Sequence, residues 1–494
     1  MGNALESPSE HTAEPPGFSG HTSIQEFHGH RSGQGSFPVP NLLDPLGLPS
    51  VSKRGRGKKY DPAAASQPQA WVLDAQLLAG HRDIVRILLP LDSERLVSAA
   101  DDGHMGVWNW KVGGLISNLK GHSRPVTCLL WLAQHQILVS GSSDKTIRIW
   151  ALEQPSSSTP PLSPSTSADF SSDAIPPAKP RAPTAAGAGG GAGPATPEGY
   201  RCLQTLAAHA GSVTCLVAMG GAHFCSGGND GVLRIWKIDP QQPLAPCALQ
   251  ADIARKEAEE ENLHCLLYLG EEGDALQQQR LVTGSNSNLI MVYDARSCTC
   301  EGVLETHRES VLSLCRVSGS AFASGSLDGT IVLWSARTLS PLKIIDHPSD
   351  DPKYFRWSVQ HILKIGPHHF VTSIGSGFKI FDLDGVCVVE KLDAHASKLN
   401  HLCPVYNNLL LATCSSDSSV KIWRPDLVNR RVFLIADIKL HADAVNAITS
   451  LDVTTFATCS SDTLMGIFRE PLTCSLKRNA IAASNLYHYS ARHS

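Results

Sequence analysis

The chain has 494 residues, 42% of them hydrophobic, which is enough to bury a sizeable core. Its 42 Lys and Arg residues against 46 Asp and Glu residues give a formal net charge of -4, which argues against a general nucleic-acid binder. No signal peptide or membrane-spanning apolar run is recognisable, so we expect the 14 cysteines to lie in a reducing compartment. None of them has the spacing of a zinc site, and we expect neither a metal nor a cofactor.

The N-terminal region, residues 1–66, is rich in Pro, Gly, Ser and His and has little periodic apolar content, which predicts disorder. It contains a basic run, KRGRGKK, at residues 53–59. Such a run is typical of a nuclear signal, of contact with an anionic membrane, or of a solvated linker, and the sequence leaves its role open.

A pattern of four residue types recurs six times between residues 81 and 468. A His is followed after 21 or 22 residues by an Asp, the Asp after six more by an aromatic residue, and a Ser or Thr stands four positions before the Asp. The sets are His81, Ser98, Asp102 and Trp108; His122, Ser140, Asp144 and Trp150; His209, Ser226, Asp230 and Trp236; His307, Ser324, Asp328 and Trp334; His395, Thr413, Asp417 and Trp423; and His441, Thr458, Asp462 and Phe468. Apolar and β-branched runs between these positions predict strands.

The spacing of the sets predicts eight repeating units. Neighbouring His residues lie 41 and 46 residues apart where the sets are adjacent, and two of the wider gaps have room for a unit without the full set. In the first gap, residues 281–294 keep Thr283 and Tyr293 but have Ser287 at the Asp position. In the second, residues 370–382 keep Phe381 as the aromatic residue.

These residues resemble the WD-repeat family of β-propellers, in which the four side chains form a hydrogen-bonded chain inside each blade. The resemblance implies an all-β, eight-bladed propeller over residues 67–469, with the fourth and sixth blades degenerate. The WD dipeptide itself is absent, because other residues follow all six aromatics. Buried imidazole and carboxylate groups need partners, and a satisfied network fixes the register of the strands that carry it.

Three further segments surround or interrupt the propeller. Residues 71–79 have a strand-like pattern, and we expect them to supply the outer strand of the eighth blade and close the ring. Residues 152–199, dominated by Pro, Ser, Ala, Thr and Gly, are predicted to be a flexible insert between the third and fourth strands of blade two. Residues 250–262 are expected to form a short charged helix. Residues 470–494 form a tail with a short helical face, which either docks a partner or packs back against the propeller.

The sequence favours a scaffold over an enzyme. The His, Ser or Thr, and Asp sets contain the groups of a hydrolytic triad, but a catalytic site occurs once, whereas these sets recur in six blades. There is no Walker loop, GxSxG elbow or HExxH motif. We therefore predict no catalytic residues.

Within the WD-repeat family, residues 81–108 and the short C-terminal tail resemble a member that is a subunit of a complex with two Longin and DENN-domain proteins. The resemblance implies a cytoplasmic, monomeric propeller in a hetero-complex that regulates autophagy and small GTPases and is recruited to lysosomes. It implies partner contacts through the N-terminal strand and the tail, for which the matching candidates here are Trp71, Leu73, Leu476, Ile481, Leu486 and Tyr487. A long loop of blade seven docks a lysosomal transporter in that member, but here Trp423 is followed only by RPDLVNRR before the strand at Val432.

An alternative function is that of a substrate receptor of a cullin ubiquitin ligase. Some propellers present an Asp, aliphatic residues, a Trp and an Arg to the ligase adaptor, and Asp328, Ile331, Leu333, Trp334 and Arg337 approach that pattern. Ser335 stands where the pattern has an acidic residue. A nuclear scaffold role is supported only by the basic run at residues 53–59.

Overall fold

The computed structural model describes residues 74–152, 199–207, 209–239, 247–253, 261–270, 279–346 and 358–470. These residues contain 32 β-strands, numbered β1 to β32 in chain order, and a short 3-10 turn at Ala133–His135. The strands form eight antiparallel sheets of four strands each. Consecutive sheets contact one another in cyclic order, and the last sheet contacts the first. The chain is therefore an eight-bladed β-propeller, which confirms the predicted fold.

The blades follow one another along the chain. Blade one comprises β2 (Val85–Pro90), β3 (Arg95–Ala100), β4 (Met105–Asn109) and β5 (Gly114–Leu119); blade two comprises β6 (Val126–Leu132), β7 (Ile137–Ser142), β8 (Thr146–Leu152) and β9 (Tyr200–Ala207). Blade three comprises β10 (Val213–Ala218), β11 (His223–Gly228), β12 (Leu233–Ile238) and β13 (Cys247–Ile253); blade four comprises β14 (Leu263–Tyr268), β15 (Arg280–Ser285), β16 (Leu289–Asp294) and β17 (Thr299–Glu305).

The second half of the ring has the same plan. Blade five comprises β18 (Val311–Arg316), β19 (Ala321–Ser326), β20 (Ile331–Ser335) and β21 (Pro341–Ile345); blade six comprises β22 (Ile362–Ile365), β23 (His369–Ile374), β24 (Gly377–Asp382) and β25 (Cys387–Lys391). Blade seven comprises β26 (Leu399–Val405), β27 (Leu410–Ser415), β28 (Val420–Asp426) and β29 (Arg431–Ile438); blade eight comprises β30 (Val445–Ser450), β31 (Thr455–Ser460), β32 (Met465–Arg469) and β1 (Asp74–Leu78).

The apolar core lies between neighbouring blades. One cluster joins Val139 and Ile149 of blade two to Val213 and Phe224 of blade three. Small residues let the sheets approach this closely: a Cβ on Gly141 would meet Val213 Cγ1 at 2.7 Å and the Sγ of Cys128 in its own blade at 2.6 Å. The blades are thus held face to face by side chains of their first three strands, and the fourth strands lie at the rim.

Blade eight closes the ring with strands from both ends of the propeller. β1 pairs with β32 from Asp74 opposite Arg469 to Leu78 opposite Met465. Arg469 then reaches blade one, where its guanidinium donates to the carbonyl of Trp110 (2.8 Å). The expectation that the N-terminal segment supplies the outer strand of blade eight is confirmed for Asp74–Leu78, and this pairing protects an edge of β32.

The structure corrects the predicted helix after blade three and confirms the two degenerate blades. The prediction of a helix over residues 250–262 is wrong at its start, because residues 250–253 belong to β13, where Ile253 is buried opposite Leu233 of β12.

The degenerate blades four and six are complete four-stranded sheets, as expected. In blade six, however, β22 and β23 pair without the register shift that occurs between the first two strands of the other seven blades.

Candidate functional site: the polar networks of the blades

Blade two shows the hydrogen-bonded chain in its complete form. Trp150 Nε1 donates to Ser140 Oγ (2.9 Å), Ser140 Oγ lies 2.7 Å from His122 Nε2, and His122 Nδ1 lies 2.9 Å from Asp144 Oδ2. Burial raises the pKa of Asp144, but hydrogen bonds from Thr146 and His122 outweigh it and bring the value to about 2. The carboxylate therefore stays charged and fixes the imidazole with its proton on Nδ1.

Blade three repeats the chain and adds a cation. His209 lies 3.0 Å from Asp230 through Nδ1 and 2.9 Å from Ser226 through Nε2, and Trp236 Nε1 donates to Ser226 (2.9 Å). The guanidinium of Arg234 lies 3.1 Å from Asp230 Oδ2. Burial raises the pKa of Asp230, but the bond from His209 and the other contacts lower it well below its usual range.

In blade five a threonine stands between the imidazole and the carboxylate. His307 Nδ1 lies 2.7 Å from Thr330 Oγ1, which donates to Asp328 Oδ1 (2.6 Å), whereas His307 and Asp328 themselves are 3.8 Å apart. On the other side His307 Nε2 lies 2.7 Å from Ser324, to which Trp334 donates. Burial lowers the pKa of His307 to about 4, so its imidazole is neutral at physiological pH.

Blade seven uses both kinds of contact. His395 Nδ1 lies 3.0 Å from Ser419 Oγ and 3.2 Å from Asp417 Oδ2, and Ser419 donates to Asp417 (2.6 Å). Its Nε2 lies 2.8 Å from Thr413, which accepts from Trp423 Nε1. In three blades a hydroxyl residue two positions after the Asp takes part in the network: Thr146, Thr330 and Ser419. The sequence did not lead us to expect this fifth member, although its recurrence in three units was visible there.

Blade eight has the same chain without an aromatic N–H. His441 lies 3.0 Å from Asp462 and 2.8 Å from Thr458. Phe468 stacks instead on Phe456, with ring centroids 4.9 Å apart. The hydroxyl of Thr458 consequently serves the imidazole but no indole.

Blade one departs from this arrangement even though its sequence has all four residue types. His81 Nε2 lies 2.6 Å from Ser98 Oγ, and Trp108 Nε1 donates to the same oxygen (2.8 Å). Asp102 pairs instead with His104, whose Nδ1 is 2.9 Å away, and accepts the His104 backbone N–H at 3.0 Å. His81, Ser98 and Trp108 are therefore joined by hydrogen bonds, whereas Asp102 pairs with His104 instead of His81.

The degenerate blades use substitutes. In blade four, Ser287 donates to Glu261 (2.7 Å) and lies 2.7 Å from the hydroxyl of Ser285. In blade six, the buried Thr372 hydroxyl has no hydrogen-bond partner among the described residues, and Phe381 stacks on Phe370 with centroids 5.3 Å apart. Blade four therefore retains a polar cluster, whereas blade six relies on aromatic packing.

The networks have the atom order of a hydrolytic triad but lack access for a substrate. Ser140 and its counterparts on the second strands are fully buried, and each hydroxyl in blades two, three, five and seven already accepts an indole N–H. A nucleophile must reach its substrate, so these groups act as structural supports of the strands. Within the described ranges, no group of three or more His, Cys, Asp or Glu side chains is placed to hold a metal ion.

Other candidate residues fall in different places. The partner-binding candidates Trp71, Leu73, Leu476, Ile481, Leu486 and Tyr487 lie outside the described residues, as do most of the insert in blade two and residues 471–494 of the tail. Of the ligase-adaptor pattern, Ile331, Leu333 and Trp334 are buried, and Arg337 is exposed. No helix in the described part of the chain has the length and apolarity needed to cross a membrane.

A family model described as WD domain, G-beta repeat matches residues 113–151, 200–237, 298–335 and 385–424. Each match begins with the outer strand of one blade and continues through the first three strands of the next, so the sequence repeat is offset from the blade by one strand. This offset is what allows β1 and β32, from opposite ends of the propeller, to share blade eight.

The chain is similar to WD repeat-containing protein 41 of Homo sapiens, with 24% identity over 70% of this chain and 68% of that protein, and to the Mus musculus protein of the same name with the same values. Among solved structures, a computationally designed protein, Ika8, matches with a TM-score of 0.57 and 20% identity, covering 79% of this chain and 98% of its own. Chaetomium thermophilum Sqt1 matches with a TM-score of 0.59 and 16% identity, covering 80% of this chain and 98% of its own. The chain is therefore an eight-bladed β-propeller in which four segments match the WD40 repeat.

Proposed function

We propose that the chain is a non-catalytic scaffold that binds other proteins. The observation that carries this proposal is the division of side chains between the interior and the rim. Reactive groups of the blades are buried in hydrogen-bonded networks, whereas large apolar side chains are exposed on fourth strands, such as Leu77 (43% exposed) on β1 of blade eight. Propellers with WD40 repeats typically act as such scaffolds, and exposed apolar residues supply the contact area.

The specific role we propose is that of a subunit in a complex with Longin and DENN-domain proteins that regulates autophagy and small GTPases. The similarity to WD repeat-containing protein 41 supports this proposal. It implies a cytoplasmic, monomeric propeller within a hetero-complex that is recruited to lysosomes. In blade seven, β28 and β29 are joined by the turn at residues 427–430, so recruitment here would not use a long loop at that place.

Blade eight is the proposed docking region. Because β1 and β32 are antiparallel, Asp74 lies opposite Arg469 at one end of the blade. The chain therefore enters β1 and leaves β32 at the same end of the blade. The candidate segments at residues 71–73 and 472–487 precede β1 and follow β32 in the sequence, so we propose that a partner contacts both. Leu77, three residues beyond Asp74 on β1, is 43% exposed.

Affinity capture with mass spectrometry tests the proposal on the full chain. We expect Longin and DENN-domain proteins to be recovered with the intact chain and lost with a chain ending at Glu470. Leu77→Glu should weaken the capture, whereas Leu342→Glu, a matched apolar-to-acidic change on the fourth strand of blade five, should leave it unchanged. Thermal melting of both variants checks that the fold is retained.

Two outcomes would contradict this proposal. Recovery of a cullin adaptor that survives the truncation and is lost with Arg337→Ala would establish the ligase-receptor role instead. Recovery of no stable partner by the intact chain would argue against both roles.

A further inference from the structure

A cavity of about 150 Å³ opens at the rim of blade one, beside its incomplete polar network. Its walls include Gly106 and Trp108 of β4, Asn118 of β5, and the imidazoles of His81 and His104. A cavity needs roughly 10–15 Å³ to hold one water molecule, so this one can admit a side-chain group of several atoms.

Blade one lacks a cation that four other blades have on the third strand. Two residues before the aromatic of the third strand, blades two, three, six and seven carry Arg148, Arg234, Lys379 and Lys421. In blade three this guanidinium fills the space between the two strands, 3.1 Å from Asp230 and 3.3 Å from Asp252. The corresponding residue of blade one is Gly106, as it is Gly466 in blade eight, so no cation extends from β4 towards β5, and the indole of Trp108 packs directly against Gly106.

Blade one also lacks the acidic residue that stands opposite the cation in three other blades. Opposite the cation, the fourth strands of blades three, six and seven carry an acidic residue, Asp252, Glu390 or Asp437, whereas β5 carries the neutral Asn118 opposite Gly106. A site built to receive a second cation would be expected to keep that acidic residue.

Two exposed cations line the cavity of blade one, Arg82 and Lys120, and neither pairs with a carboxylate of the described residues. The one carboxylate of the site, Asp102, is held by His104. Two cations therefore face a single, already paired carboxylate, and the local field attracts anions.

The imidazole of His81 has one ring nitrogen engaged inside the blade and one that is not. Its Nε2 is engaged with Ser98 Oγ at 2.6 Å, and its Nδ1 has no hydrogen-bond partner among the described residues. In blades two, three and eight, the equivalent Nδ1 faces an Asp carboxylate. In blade one no side-chain carboxylate holds this nitrogen. A carboxylate that entered the cavity beside Nδ1 would fix the proton there, as Asp144 does for His122 in blade two.

We propose that this cavity binds the carboxylate of an Asp or Glu side chain presented by a protein partner. The carboxylate takes the place that the carboxylate of Asp102 has left beside His81, and Arg82, Lys120 and the Asn118 amide surround it with donors and positive charge. The inference deepens the proposed function and rests on it only in requiring a protein partner, whichever complex that partner belongs to.

Direct binding to the purified full chain tests this inference independently of any cellular partner. The probe is a fluorescein-labelled peptide, Gly-Ser-Glu-Glu-Gly-Ser, compared with its Gln-Gln counterpart by fluorescence anisotropy at low salt. We expect saturable binding of the Glu peptide and none of the Gln peptide. Asn118→Asp restores the acidic residue that blades three and seven carry, and it should weaken binding about tenfold, which corresponds to about 1.4 kcal/mol.

Blade seven offers a matched control. Lys439 follows β29 as Lys120 follows β5, and both side chains are exposed. Lys120→Ala should weaken binding of the Glu peptide, whereas Lys439→Ala should not. Equal binding of the two peptides, equal effects of the two lysine variants, or displacement of the Glu peptide by inorganic phosphate at a lower concentration than by glutarate would overturn the inference. Such a failure would leave the capture of partners through blade eight unaffected, so the two proposals can fail separately.

Discussion

Removal of the buried hydroxyl from the second strand of a blade should cost stability in proportion to the hydrogen bonds that it serves. In blade two, Ser140 is fully buried and bonds to both His122 Nε2 (2.7 Å) and Trp150 Nε1 (2.9 Å). Ser140→Ala deletes only the oxygen atom and leaves both nitrogen atoms without this partner. Each buried polar group left unsatisfied costs about 1–3 kcal/mol, so we expect the two to lower the free energy of unfolding by about 2–6 kcal/mol.

Two other blades provide graded controls for the same deletion. In blade eight, Thr458 serves His441 alone, because Phe468 has no N–H, so Thr458→Val should cost about 1–3 kcal/mol. In blade six, the Thr372 hydroxyl is buried without a hydrogen-bond partner among the described residues. Thr372→Val keeps the shape and removes an unsatisfied group, so it should be neutral or stabilising.

Urea unfolding followed by circular dichroism and by tryptophan fluorescence measures the three effects. The midpoint should fall most for Ser140→Ala, less for Thr458→Val and not at all for Thr372→Val, with an unchanged m-value and coincident transitions. Equal losses in the three blades would show that the hydroxyl contributes through packing rather than through its hydrogen bonds. A larger loss for Thr372→Val than for Ser140→Ala would refute the reasoning altogether.

Three further predictions concern titration, ring closure and the cavity. Burial lowers the pKa of His307 from 6.5 to about 4, so between these pH values the unfolded chain binds a proton at this imidazole and the folded chain does not. Stability should therefore fall as the pH drops from 6.5 towards 4. His307→Gln should reduce this dependence of Tm on pH, and an unchanged slope would contradict the assignment. Deletion of residues 1–78 removes β1 and exposes the edge of β32. Because an exposed strand edge pairs with other chains, size-exclusion chromatography with light scattering should show that the shortened protein self-associates. A monomer with an unchanged Tm would argue against closure of the ring by β1. Gly106→Ala places a Cβ 2.5 Å from Trp108 Nε1 and should lower the free energy of unfolding by about 1–3 kcal/mol. The control is Gly114→Ala, whose Cβ would meet nothing within 4 Å and which should have no such effect. Equal effects of the two variants would show that Trp108 moves without a loss of stability.

The eight blades could be predicted because the signal for them is local and repeated. Each blade places its His, hydroxyl, Asp and aromatic residue at nearly fixed separations along the chain, and a gap of two periods shows where a blade has lost them. The hydrogen-bond partner of each Asp is harder to predict, because the residue two positions after the Asp competes with the His for its carboxylate. Thr330 separates His307 from Asp328 by donating to the carboxylate itself, and the same position in blade one holds His104, which takes Asp102 away from His81.

The charged helix expected after blade three failed for a related reason. The run of Ala, Lys and Glu from residue 254 onwards has helical character, but the residues just before it are needed as the edge strand of a sheet. Pairing of Ile253 with Leu233 satisfies backbone groups that a helix beginning at residue 250 would have removed from β12. Tertiary pairing therefore decided the boundary against local propensity.

The distribution of the networks changes where binding should be sought. The sequence directs attention to blades four and six, which lack the full set of residues. Yet blade four replaces it with the contact between Ser287 and Glu261, and blade six with the stack of Phe370 on Phe381. Blade one has every residue of the set, and it is there that a histidine lines a cavity together with two cations, neither of which pairs with a carboxylate in the described part of the chain. A blade can thus keep all of its signature residues while one of them makes a different contact, because His104, two residues after Asp102, holds that carboxylate.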